Sequence, residues 1–178
     1  MAFDTEFKDE KGRTVATFWT GTERSYVLPD GSRCMVPQAA AWCRDCKEYV
    51  AAEEVPSLEY IDGRLAALRA GPKAFGAWAE AGGEGVPEYV LKQGWDRYRD
   101  WAVKHWEMVR SWRMLRRSPA RCLQCFSTEI EALPRGIRET HHPVTEKRLT
   151  LHVGTRTSTT QRWEYSPEGL PFEGPDAP

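Results

Sequence analysis

Apolar residues recur at helical spacing through the middle of the chain and alternate with polar ones toward both ends. The longest helical pattern runs from Pro87 to Arg117. There Val90, Leu91, Trp95, Tyr98, Ala102, Trp106, Val109 and Trp112 form one apolar stripe. Ser118–Pro119 ends it, and Gly94 breaks or bends it near its start. Upstream, Leu58, Ile61, Leu65 and Leu68 predict a helix over 57–71, with Ser57 as N-cap and Gly71–Pro72 as the stop. A second short helix closed by a glycine-rich loop is expected over 72–85.

Either side of these helices the period changes. Strands are expected over 13–20 and 24–38, the latter folded about the turn signal "PDGS", and over the short run "KEYVAA" (47–52). After residue 126 the stretches "STEIEALP", "KRLTLHV" and "QRWEYSPEGL" again read as strands, rich in β-branched and aromatic residues. Residues 1–12 read as a polar lead-in, and the proline-rich tail 171–178 as irregular. The pattern therefore predicts one α+β domain. A small antiparallel sheet is built from 13–55 and 120–170, and a helical insertion occupies 56–118.

Composition narrows the class. At 178 residues, with 40% hydrophobic and 29% charged residues, the chain is long enough to bury a core. Eight tryptophans are a large aromatic load for this length. No apolar run approaches the length of a membrane-spanning helix, and the N-terminus lacks the apolar stretch of a signal peptide. A cytoplasmic, reducing location is the resulting expectation. The net charge of −1 gives no global attraction to nucleic acid or anionic membrane. Charge is nevertheless uneven: residues 43–63 carry six acids and two bases, and residues 92–121 nine bases and three acids.

The chemistry lies in the cysteines. "CRDC" (43–46) and "CLQC" (122–125) place Cys43, Cys46, Cys122 and Cys125 in two Cys-x-x-Cys pairs, leaving Cys34 over. Such a turn lets two thiolates converge on one cation, and two turns supply the four soft ligands a tetrahedral Zn²⁺ takes. A structural zinc site is the leading reading; a rubredoxin-type iron site, a redox dithiol and unliganded buried thiols are the alternatives. The two knuckles and their flanking strands resemble a zinc ribbon. That resemblance implies a closed metal site and a β-hairpin scaffold. The chain departs from it in the long helical insertion between the knuckles. It departs again at Lys47 and Phe126, where ribbon knuckles often carry glycine.

Other candidates are weaker signals. His141 and His142 fall in an expected polar loop, and His105 sits within the tryptophan-rich helix. No Ser-His-Asp order, HExxH, P-loop or GxGxxG pattern occurs, and "AGGEG" (81–85) lacks the Lys-Ser/Thr of a phosphate loop. The expectation is a non-enzymatic binding protein acting on a protein partner through Trp101, Arg110, Arg113, Arg116 and Arg117, since Trp and Arg dominate interface hot spots. In general character it resembles bacterial immunity or antitoxin-type inhibitors. Nucleic-acid binding through the basic, tryptophan-rich stretch 92–121 is the first alternative. A rubredoxin-like electron carrier is the second.

Overall fold

Period-2 alternation in "FDTEFKD" places Thr5 and Phe7 on one face of strand β1 (Ala2–Asp9), and both are buried. This segment is not a polar lead-in. It is an inner strand, paired antiparallel with β2 (Thr14–Thr20) on one side and β9 (Arg148–Thr157) on the other. Glu6 and Lys8 read as solvated because they occupy the outward half of the alternation, where they pair at 2.9 Å. The computed structural model describes residues 2–20, 23–35, 37–81, 85, 94–134, 137–157 and 162–171. The β part thus begins at Ala2, not at residue 13.

Among the described residues the strands form three small sheets. Beyond β1, β2 and β9, the first sheet adds β8 (Glu139–His141), in the order β2-β1-β9-β8. The second is β10-β3-β4, from β3 (Glu23–Val27), β4 (Arg33–Met35) and β10 (Arg162–Tyr165). The expected turn joins β3 to β4, with Asp30 accepting the Ser32 amide at 2.9 Å. β10 runs parallel to β3, so this sheet departs from the all-antiparallel expectation. The third is β6-β5-β7, from β5 (Gln38–Cys43), β6 (Glu48–Glu53) and β7 (Ile130–Ala132).

Helix α1 (Leu58–Ala70) begins as its cap predicts, the Ser57 hydroxyl accepting the Tyr60 amide at 3.1 Å. Ile61, Leu65 and Leu68 are buried, whereas Leu58 lies on the surface. Gly71 turns the chain at φ 106°, a value a side chain resists, and Pro72 opens α2 (Pro72–Glu80). Helix α3 (Trp95–Leu115) follows Gly94, whose φ of 98° makes the break expected there. Residues 82–84 and 86–93, including the predicted start of that helix and most of the glycine-rich loop, lie outside the described residues. Tyr98, Ala102, Trp106, Val109 and Trp112 are buried along one face of α3, as the stripe requires.

One main apolar cluster joins all these layers. Phe7 packs on Tyr49 with ring centroids 4.3 Å apart, bringing the first sheet against the third. Tyr26 of β3 stacks on Trp112 at 4.5 Å, fixing α3 on the second sheet. Between α1 and α3 the buried Arg64 of α1 lies among aromatic rings, with its guanidinium carbon 4.5 Å from the Trp106 centroid and 5.4 Å from that of Trp78. Among the described residues no helix is long and apolar enough to cross a membrane.

Candidate metal centre

Each cysteine pair sits in a tight turn of the same construction. In the first, at the β5–β6 hairpin, the Lys47 amide donates to Cys43 O at 2.8 Å and the Cys46 amide points at Cys43 Sγ at 3.4 Å. In the second, the Phe126 amide donates to Cys122 O at 3.0 Å, and the Gln124 and Cys125 amides point at Cys122 Sγ at 3.4 and 3.5 Å. Amides aimed at a sulfur stabilise its thiolate form, which is the form that binds metal.

The third sheet brings the two turns together. Cys122 bridges to Ala52 of β6, and the Leu123 amide donates to Ala51 O at 3.0 Å. From the other side Cys43 pairs with Ile130 of β7, and the Arg44 amide donates to Glu129 O at 2.9 Å. The Gln124 side chain closes the rim on Glu48 at 2.8 Å.

The four sulfurs therefore converge, all within 4.8 Å of one another. Cys43 and Cys125 Sγ are 3.6 Å apart, and Cys46 and Cys122 Sγ 3.8 Å. A tetrahedral zinc with Zn–S bonds of about 2.3 Å sets its sulfurs about 3.8 Å apart, so the cluster has the dimensions of a four-thiolate metal site. It is lined by Val50 and Ile130. Cys43 and Cys122 are fully buried, Cys46 is half-buried and Cys125 is exposed. Burial pushes the Cys122 thiol up to about 11 and, with the neighbouring thiols, also raises Cys46. At Cys125 burial pulls upward too, but the Ser127 amide and hydrogen bonds from the other thiols prevail and lower it. Without metal the raised Cys46 and Cys122 thiols hold their protons at neutral pH, so metal binding displaces those protons.

Lys47 and Phe126, in the positions where ribbon knuckles often have glycine, adopt φ 58° and 62°. The turn geometry is therefore kept with side chains in the left-handed region. Lys47 is exposed, so Lys47→Gly is expected to relieve that strain and stabilise the metal-bound protein by about 1 kcal/mol, read as a rise in the thermal midpoint. Phe126 packs against Tyr165, with ring centroids 6.2 Å apart, and gains no such benefit from glycine.

The remaining candidates lie apart from the cluster. Two of the His142 contacts fix its ring: Nδ1 accepts the Val144 amide at 3.2 Å, and the ring meets Trp42 edge-on at 5.0 Å. His141 is an exposed residue of β8. His105 stacks on Trp101 with rings 5.4 Å apart, and burial together with nearby Arg64 lowers its pKa. Cys34 is buried, which pushes its thiol up to about 12.

Of the five residues expected to face a partner, Trp101 is 59% exposed on α3. Arg110 pairs with Asp62 at 2.7 Å, and Arg113 donates to Pro56 O at 3.0 Å. Arg117 is exposed beyond the helix end. Arg116 is not a surface residue: its side chain is fully buried in an ion pair with Glu53. Pattern reading missed this Glu53–Arg116 pair because its members lie 63 positions apart on elements of different period. No protein-family model matches the chain, and no curated protein and no solved structure matches it.

Proposed function

We propose that the chain is a non-catalytic binding protein whose ribbon is held by a structural Zn²⁺ on Cys43, Cys46, Cys122 and Cys125, and whose helices engage a protein partner. The observation that carries this reading is the closed thiolate tetrad. Four converging sulfurs satisfy a four-coordinate ion and leave no position for substrate or water. The metal then serves the fold, and recognition falls to the surface. Occupation of a partner, in the manner of an immunity- or antitoxin-type inhibitor, is the mode proposed.

The α1–α3 face favours a protein partner over nucleic acid. Its bases are interleaved with acids: Arg69 pairs with Glu107 at 2.7 Å, Arg99 with Asp96 at 2.9 Å and Arg110 with Asp62 at 2.7 Å. Arg116 is buried, and so are the rings of Tyr98, Trp106 and Trp112, so they offer neither phosphate contacts nor stacking platforms. A mixed-charge face bearing one open tryptophan is the chemistry of a protein interface.

The test is purification of the tagged full chain from its own cells beside Trp101→Ala. The variant is expected to keep its thermal midpoint within a few degrees and to lose a stoichiometric protein that the wild type retains. Bound material that is nuclease-sensitive and released steeply by salt would replace this reading with the nucleic-acid one. A red protein would identify ferric tetrathiolate iron and an electron carrier, since zinc thiolate is colourless.

A further inference from the structure

The four sulfurs are unequal in a way that bears on oxidation. Cys122 is fully buried and its sulfur accepts two backbone amides; Cys43 is fully buried and accepts one from Cys46. Cys125 is the exposed member of the set. A dissolved oxidant therefore meets Cys125 first. The sulfur positioned to react next is not its own knuckle partner, whose sulfur accepts both the Gln124 and the Cys125 amides. It is Cys43, 3.6 Å away across the cluster. The remaining two, Cys46 and Cys122, again lie across the cluster, 3.8 Å apart.

We propose that this centre is a peroxide-responsive zinc-release site that oxidises to the cross-knuckle disulfides Cys43–Cys125 and Cys46–Cys122. The inference rests on the tetrad holding zinc, and it adds a regulation of that same site. The Cys125 thiolate attacks hydrogen peroxide, breaking the O–O bond and giving a sulfenic acid and hydroxide. The Cys43 thiolate then attacks the Cys125 sulfur, forming the S–S bond and expelling a second hydroxide. The two sulfurs together lose two electrons, peroxide gains them, and two protons from solvent convert the hydroxides to water. Two thiolates have by then left the ligand set, so the tetrahedron cannot persist and Zn²⁺ departs. The second pair closes with a second peroxide by the same balance.

The pairing has a structural consequence. A disulfide within a knuckle would close only a small loop and leave the two knuckles free to separate. Cys43–Cys125 joins positions 82 apart in sequence, so the strands bracketing the insertion stay tied after the metal has left.

The experiment exposes freshly purified zinc-loaded protein to hydrogen peroxide. It follows metal with a chromophoric zinc indicator and maps disulfides by mass spectrometry of unreduced digests. The expected result is one zinc released, peptides linking 43 to 125 and 46 to 122, and a thermal midpoint well above that of chelator-stripped, reduced protein. Zinc that stays bound, or linkages confined to 43–46 and 122–125, would overturn the switch while leaving the structural zinc site intact. Fresh protein without metal would instead overturn the zinc site and the switch with it.

Discussion

Chelating the metal from the reduced protein is expected to lower its thermal midpoint by about 10 °C or more. The affected part is the third sheet. Its apolar lining around the four sulfurs consists of Val50 and Ile130 with the cysteines themselves, a cluster separate from the main core. Two aliphatic side chains contribute only about 2–3 kcal/mol each when buried, too little to hold four mutually facing thiols in place. Structural zinc contributes apparent binding energies of about 10–16 kcal/mol in the smallest metal-dependent folds. A loss of several kcal/mol is expected here, because Tyr49, Ala51 and Trp42 also anchor the sheet to the main core. At about 2–4 °C per kcal/mol for a chain of this size, that loss gives the stated shift. Hydrogen exchange should localise it. Amide protection is expected to fall first in β5, β6 and β7 and to persist in β1 and β9. Calorimetry before and after chelation is the check, and Cys43→Ser should reproduce the chelated state. A midpoint unmoved after verified metal removal would show that the tetrad does not hold the fold.

The parts of this architecture that were legible in the sequence are those in which neighbouring residues state the constraint. Cys-x-x-Cys spacing is dictated by the reach of two thiolates to one ion, so Cys43, Cys46, Cys122 and Cys125 could be grouped across the long insertion. Ser57 announced a helix start because its partner, the Tyr60 amide, is three residues away. The buried face of α3 followed from one helical period. Strand β1 was also encoded, in the alternation that buries Thr5 and Phe7, but its charged outward half masked it. The parallel pairing of β10 with β3 joins residues such as Tyr165 and Tyr26, and no local pattern specifies such a contact. Arg116 shows the limit most clearly. At the end of a base-rich helical pattern it reads as a surface residue, and only its partner on β6 makes it a core residue.

That buried pair supports the second large expectation: Arg116→Met should destabilise the protein by about 3–5 kcal/mol. The Glu53 carboxylate lies at the end of β6, fully buried, and accepts from the Tyr26 hydroxyl at 2.7 Å and the Arg121 amide at 2.9 Å. Burial, then the neighbouring Glu53 charge, pushes the Tyr26 phenol far up, so Tyr26 stays a donor. Arg116 neutralises the carboxylate. It also donates to the carbonyls of Ser118, Pro119 and Pro167, at 3.0, 2.7 and 3.1 Å. One guanidinium thus joins β6, the end of α3, the approach to the second knuckle and the turn after β10. Removing it leaves a buried charge and three carbonyls without their donor, and water cannot easily replace it. The space is fully used: a Cβ at Gly169, where φ is +74°, would overlap Glu53 Oε1 and both terminal nitrogens of Arg116. Because Arg121 immediately precedes Cys122, the same variant is expected to weaken zinc binding as well as the fold. Pairing Arg116→Met with Glu53→Gln should recover part of the loss, since the stranded charge disappears while the orphaned carbonyls remain. A double-mutant cycle from denaturant unfolding of the zinc-loaded protein measures the coupling. A single variant within 1 kcal/mol of wild type would mean that the pair is not what ties the end of α3 to β6.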